Sequence, residues 1–316
     1  MPEPVAIVLL AMGGPDRLEA VEPFLRNLFA DPLIFPLPGG RLLAPWIARR
    51  RARQVSTYYD RIGGGSPLNA TTRRQAEALQ AALGEGFFAR AAFRYWGPDE
   101  PEAVRWAVAL GARQVIALPM YPQYCRATTL SSLVELRRAA GAAGMTLIEI
   151  DGYHDDPGYL DALAAGVLAA LAAFDGEARP HVVMSAHGVP KSFPRKGDLY
   201  VAQVEVTARL LAERLPPTTP WTLAYQSRVG PVRWMQPYTD ELLPRLGRSG
   251  VRAVLMVPLS FVADHVETLD EMDIRLRRIA LDSGITDFRR VAALNDDPAF
   301  IAALAALVRR RMATEA

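Results

Sequence analysis

The chain has 316 residues, half of them hydrophobic, and its 36 basic and 34 acidic side chains leave a formal net charge of +2. That length supports one large or two ordinary domains around a sizeable core, and so even a charge balance argues against a nucleic-acid partner. A lone cysteine, Cys125, excludes an internal disulfide and fits a reducing compartment.

The first apolar run, VAIVLLAM from Val5, lacks the basic flank of a signal peptide. It is also far shorter than the ~20 residues that cross a bilayer. A cytoplasmic protein is therefore expected, and the run reads as a buried strand closing in the glycines of GGP. From about residue 31 to residue 67 follows DPLIFPLPGGRLLAPWIARRRARQVSTYYDRIGGGSP. It combines apolar residues such as Leu33, Leu37, Leu42, Leu43, Trp46 and Ile47 with prolines, glycines and a basic run from Arg49 to Arg53. Surplus apolar residues on an irregular segment suggest a lip that covers a ligand or touches a membrane surface.

Further along, QVIALPMYPQ, HVVMSAHGVP and RAVLMVPLSF are β-rich runs that close in proline or glycine and alternate with alanine-rich, helix-period stretches. The fold class this predicts is α/β, with parallel sheets flanked by helices. The chain also resembles itself. GARQVIALPMYPQYCRATT from Gly111 aligns with GVRAVLMVPLSFVADHVET from Gly250, YHDDPGYLDALAAGVLAAL resembles LNDDPAFIAALAALVRRR, and AMGGP resembles AHGVP. Three segments recurring in one order predict two similar halves. We place them at 1–174, carrying the lip insertion, and 175–316, with the terminal helix expected to pack on the first domain.

In open α/β sheets ligands sit beyond the carboxyl ends of strands. SAHGVP delivers His187 to such an end, and PLSFVADHVE delivers Asp264, His265 and Glu267 to another. In the internal alignment these positions correspond to Met12, Cys125, Arg126 and Thr128, so the polar set exists only in the second copy, an asymmetry that points to function. Glu267 and Glu271 are four apart and share a helix face, whereas Asp270 and Asp273 read as acids complementing the helix dipole. One imidazole with one carboxylate is a sparse ligand set suited to Fe(II) in transit rather than to structural zinc. A serine-hydrolase elbow and a phosphate-binding Walker loop find no support, and His154 and His181 read as ordinary loop and strand-edge residues.

Read together, "GGP", "RIGGGSPL", "FRYW", "YPQY", "SAHGVP" with "GDLY", "YQSRVGP" and "FVADHVETLDEMDI" resemble the ferrochelatases, over nearly the whole chain and in the right order. The resemblance implies two similar Rossmann-like, chelatase-like domains with a porphyrin cleft between them, and insertion of Fe(II) into protoporphyrin IX to give protohaem. It makes His187 and Glu267 the metal-handling and proton-accepting pair, with Asp264, His265 and Glu271 as hydrogen-bonded support and proton exit. It places Arg94, Tyr95, Tyr121 and Tyr124 on the other wall. Trp234 is expected against the macrocycle, and Arg94, Arg61 and the basic run are expected at its propionates. Arg275 stands where relatives with a longer acid ladder carry a further carboxylate. With Cys125 alone no [2Fe–2S] cluster is expected, nor any permanently bound cofactor. The expected partners are porphyrin and ferrous iron as substrates, with a membrane touched peripherally through the lip, and the expected state is a monomer. The competing readings are a coproporphyrin III ferrochelatase, a cobalt or sirohydrochlorin chelatase, and a porphyrin or haem carrier without turnover.

Overall fold

In the computed structural model, which describes residues 3–35, 39–174 and 179–315, eight parallel strands form two four-stranded sheets. Along the first stretch of chain come β1 (Val5–Ala11), α1 (Val21–Ala30), α2 (Gly40–Arg61), α3 (Leu68–Leu83), β2 (Phe87–Phe93), α4 (Glu100–Ala109), β3 (Gln114–Pro119), α5 (Ser131–Ala142) and β4 (Thr146–Glu149). Then follow α6 (Pro157–Ala172), β5 (His181–His187), α7 (Ser192–Arg195), α8 (Tyr200–Ala212) and β6 (Trp221–Gln226). The chain ends with α9 (Thr239–Arg248), β7 (Ala253–Pro258), α10 (Arg277–Asp282), β8 (Asp287–Arg290) and α11 (Pro298–Glu315).

The sheets share one topology, β2-β1-β3-β4 and β6-β5-β7-β8. Their central strands are covered by helices on both faces, so β1 and β7 are buried at every residue and show continuous apolar runs instead of alternation. The repeat read from the sequence is thus present in the fold. Gln114–Pro119 and Ala253–Pro258 coincide under the offset that aligns Gly111 with Gly250, and each is followed by a π-helix, Arg126–Leu130 in one copy and Glu267–Leu276 in the other. Thr129 and Thr268, the aligned ends of the repeat, are both fully buried.

The chain divides into one compact unit of Met1–Tyr153 with Asn295–Ala316 and a second of His154–Leu294. The division therefore falls after Tyr153 rather than at 174, because each DDP segment starts a helix that packs away from the half preceding it. Asp156 caps α6 through the Tyr159 amide, and Asp297 accepts from the amides of Ala299 and Phe300 at the start of α11. Helix α6 is held in the second unit by the Tyr159 hydroxyl on the Leu259 carbonyl and by Arg214 on Asp161. Helix α11 is held in the first, where Gln75 reaches the Asn295 carbonyl at 2.7 Å and Phe300 packs on Tyr153.

The expected lip is more regular than its composition suggests. Residues 40–61 form the 22-residue α2 despite Pro45, because Ala44, Ala48 and Ala52 are buried along one face where α2 packs on α1. That packing offsets the hydrogen bond a proline removes. Leu42 is 87% and Trp46 63% exposed, so the apolar surplus does face outward. Leu37 lies outside the described residues. Among the described residues no helix is long and apolar enough to cross a membrane.

Candidate active site

Strand β5 ends at His187, whose backbone is fixed from two sides. Its N–H donates to Ser260 Oγ at 2.9 Å, and its carbonyl accepts from the Tyr200 hydroxyl at 2.9 Å. Ring Nδ1 lies 2.6 Å from the Gly188 carbonyl. A carbonyl can only accept, so Nδ1 carries the hydrogen and Nε2 keeps its lone pair in the neutral ring. Gly188 has to be glycine here, since a Cβ would lie 2.8 Å from the Gln226 carbonyl and 3.3 Å from the Trp234 ring. The chain leaving His187 therefore runs flush against β6 with Trp234 beside it.

The loop and π-helix after β7 bring the second half of the site. Phe261 sits edge-on to both His187 and His265, with ring centroids 6.3 and 4.5 Å away. His265 places Nε2 3.0 Å from Glu267 Oε2 and Nδ1 2.9 Å from the Ala263 carbonyl. Both ring nitrogens face acceptors, which suits the imidazolium. Burial is the largest influence on His265 and lowers its pKa, but the charge and hydrogen bond of Glu267, the Ala263 carbonyl and the Asp264 charge together carry it above the ordinary value. For Glu267 burial acts upward and is outweighed by the charge and hydrogen bond of His265 and the charge of His187, so its pKa falls to about 2. The Glu267 carboxylate is thus within electrostatic reach of His187, and at 29% side-chain exposure it is open to a ligand.

The remaining acids of this segment support the site. Glu271 is nearly buried and takes the Ser227 amide at 3.0 Å, the Ser227 hydroxyl, and the Gln226 side-chain amide at 3.3 Å. Ser227 adopts a left-handed conformation, φ 63°, which aims both its donors at that carboxylate. Gln226 in turn receives the Ser185 hydroxyl at 2.6 Å, a hydroxyl that also meets Thr239. Glu271 therefore ties the π-helix to the end of β6 rather than pairing with Glu267. Asp264 accepts from Thr268 and from Arg290, each at 2.9 Å, while Arg290 also grips both oxygens of Asp273. Asp270, expected as a dipole acid, is instead fully buried against Arg275, and Asp273 belongs to the Arg290 cluster. The π-helical backbone, common at functional sites, was not visible in the acid spacing, and Ser227, Gln226, Tyr200, Ser260 and Arg290 were missed as site residues. GDLY alone hinted at Tyr200, which Asp198 fixes by accepting its amide.

The first unit places the other expected residues differently. Arg94 donates from Nε to Ser131 at 2.7 Å and from Nη2 to Asp31 at 3.0 Å. Tyr95, expected on a ligand wall, is 2% exposed with its hydroxyl on Asp31. An open depression of about 500 Å³ lies beside them, lined by Asn27, Arg94, Tyr95, Trp96, Gly97 and Asp99. Tyr121 carries a buried hydroxyl whose pKa burial raises well above the ordinary value, and Tyr124 is half-buried. Arg61 lies exposed at the end of α2, over the Tyr58 ring. His154 and His181 sit beside Asp155 and Thr222, and burial lowers both their pKa values.

Glu100, which sequence reasoning passed over, is 1% exposed, leaves Oε1 without a hydrogen-bond partner, and has its pKa pushed up to about 7, chiefly by burial. A carboxyl raised in the fold loses stability as pH climbs from its unfolded value through the folded one, here on the order of 3 kcal/mol. Glu100→Gln should therefore melt several degrees higher than wild type at pH 8 and nearly equal to it at pH 4.5. Equal melting at both pH values by differential scanning calorimetry would contradict the buried acid.

The ferrochelatase family model matches residues 4–312. A ferrochelatase of Geotalea daltonii is 47% identical over 315 residues, covering 98% of both chains, and one of a Synechococcus strain is 46% identical, covering 98% of this chain and 83% of its own. Among solved structures, SirB from Bacillus subtilis with Fe3+ superposes with a TM-score of 0.61 at 14% identity over 78% of this chain and 91% of its own. CbiX, the terminal enzyme of sirohaem biosynthesis in denitrifying bacteria, superposes with a TM-score of 0.53 at 16% identity, covering 98% of this chain and 99% of its own. These two likenesses show the fold.

Proposed function

The chain belongs to the ferrochelatase family, and from that premise we propose that it inserts Fe(II) into protoporphyrin IX, releasing two protons and giving protohaem, through His187 and Glu267. The observation that carries this reading is an imidazole with its Nε2 lone pair free of the Gly188 bond, in electrostatic reach of an ionised, partly open carboxylate.

A free porphyrin is flat and directs two pyrrole N–H groups at the hole the metal must enter. An enzyme gains by favouring a puckered ring, whose nitrogen lone pairs point out of plane as they do in the transition state. His187 Nε2 can take a pyrrole proton or ligate the iron, and Glu267 supplies negative charge beside it. The two share both roles. Two protein donors replace only part of the iron's water shell, so the ion is held without being trapped. His265 keeps Glu267 ionised, and the charge of Asp264, anchored on Arg290, helps to keep His265 protonated. As the route by which protons leave, the His265–Glu267 pair is supported by its 3.0 Å contact, whereas Glu271 is engaged by Ser227.

Anaerobic incubation of the purified protein with Fe(II) or Zn(II) and protoporphyrin IX should shift the Soret and visible bands to those of the metalloporphyrin. No such shift would end the proposal, and faster metallation of coproporphyrin III would correct its substrate. The exposed Leu42, Leu43 and Trp46 of α2, with Arg50 stacked 5.7 Å from the Trp46 ring, support a lip that covers the porphyrin and touches an anionic membrane surface. Sedimentation with anionic vesicles should carry the wild type down and leave Leu42→Ser/Trp46→Ser largely in the supernatant. Equal partition of the two would remove the membrane contact.

A further inference from the structure

We propose that Asp31 is a positioning residue, the anchor that fixes the base of the lip to the carboxyl end of β2 and to the start of α5, just after the π-helix that follows β3. This rests on reading α2 as the cover of the porphyrin. Asp31 ends α1, and its side chain is only 3% exposed. Through Oδ2 it receives Arg94 Nη2 at 3.0 Å, the Tyr95 hydroxyl at 2.9 Å and the Ser131 hydroxyl. Through Oδ1 it receives the Leu33 amide at 2.8 Å, and its carbonyl takes the amides of Ile34 and Phe35. Ser131 closes the ring by accepting from Arg94 Nε at 2.7 Å and lying 3.1 Å from the Tyr95 hydroxyl.

One carboxylate therefore shapes the turn leading from α1 toward α2 and bolts it to residues just past β2 and at the start of α5. Burial acts to raise its pKa, but the hydrogen bonds of Ser131, Leu33 and Tyr95 and the charge of Arg94 hold it below the usual carboxylate range, so the clip is charged at neutral pH. Helix α2 packs chiefly on α1, so whatever sets the end of α1 also sets where Leu42 and Trp46 stand. The same geometry gives Arg94 a different task from the expected one, because Nε and Nη2, which a propionate fork would use, are already taken inside the protein.

The test uses the full chain with Asp31→Asn, the milder Tyr95→Phe and Ser131→Ala, and Arg94→Met. Trypsin reads the clip without porphyrin. Cleavage at Arg49 to Arg53 should accelerate roughly tenfold in Asp31→Asn and less in the milder variants, since local opening sets the rate, while the far-ultraviolet circular dichroism stays that of the wild type. Wild-type cleavage in all four would overturn the clip. If Asp31→Asn fails to fold, Tyr95→Phe and Ser131→Ala decide.

Zinc insertion reads the consequence. KM for protoporphyrin should rise roughly tenfold with kcat nearly kept, the pattern of lost uniform binding. In Arg94→Met it should rise equally for a porphyrin whose propionates are esterified. Faster cleavage with unchanged KM would overturn the claim that Asp31 serves the porphyrin, and a KM effect confined to free propionates would return Arg94 to the propionate site. Neither result depends on whether iron is the physiological metal.

Discussion

His187→Ala should lose about 10²- to 10⁴-fold in the rate of metal insertion, the range over which a positioned acid or base contributes, while protoporphyrin still binds within about threefold of wild type. The Gly188 carbonyl oxygen decides which ring nitrogen is available. Because that oxygen fixes Nδ1 as the protonated nitrogen, every neutral His187 presents Nε2 as a base or ligand, with no tautomer wasted. The backbone at this residue is held by Ser260 and Tyr200, so alanine leaves β5 and its two hydrogen bonds in place and removes only the ring. Tyr200→Phe separates positioning from chemistry, since it frees the His187 carbonyl without touching the imidazole, and its rate should fall far less than that of His187→Ala. Stopped-flow metallation with Zn(II) and equilibrium quenching of porphyrin fluorescence give the two quantities. A His187→Ala protein that metallates at the wild-type rate would show the ring to be a bystander. One that no longer binds porphyrin would make it a docking residue and leave the carrier reading standing.

The strands and the duplication were legible because burial on both faces leaves an uninterrupted apolar run, and two copies of one β-strand, turn and helix segment keep their offset through Thr129 and Thr268. The return of α11 to the first unit was expected, but the placement of α6 in the second was not legible. Helices α6 and α11 begin with the same DDP signal and are similarly alanine-rich, so only tertiary contacts, such as Gln75 on the Asn295 carbonyl or Tyr159 on the Leu259 carbonyl, decide their placement. The lip was read as irregular from its prolines and glycines, and packing of Ala44, Ala48 and Ala52 overrode that local signal.

At the site, His187 and Glu267 could be found from strand ends and from the asymmetry between the copies. The partners of Glu271 and Arg94 could not, because Glu271 finds Ser227 and Arg94 finds Asp31 across separations of 44 and 63 residues. An arginine in a recognised motif was assigned to a ligand when a buried carboxylate of its own chain had already claimed it. The acids after His265 look uniform in sequence, yet the structure gives each a different partner: Glu267 faces His265, Asp270 faces Arg275, Glu271 faces Ser227, and Asp264 and Asp273 share Arg290. Only the first of these carboxylates both faces a histidine pair and remains open to a ligand.

Glu267→Gln should reduce metal insertion at least about 100-fold and change how stability depends on pH. Glutamine keeps the shape and can still meet His265, but it cannot carry the charge that attracts Fe(II). The sign of the stability effect follows from the two shifts. Glu267 has its pKa lowered to about 2, so its contribution is present above the unfolded value near 4.5 and fades as pH falls from there toward 2. His265 has its pKa raised, so its contribution is complete below the unfolded value of about 6.5 and fades as pH rises through the folded one. The shifts are two views of one ion pair and do not add, which caps its worth at about 3 kcal/mol. The melting temperature of wild type should therefore exceed that of Glu267→Gln most between about pH 4.5 and 6.5, with the gap closing on both sides. A gap that fails to narrow on either side of this range would mean that the carboxylate and imidazole are not paired in solution. A variant that inserts iron at the wild-type rate would move the chemistry to His187 alone.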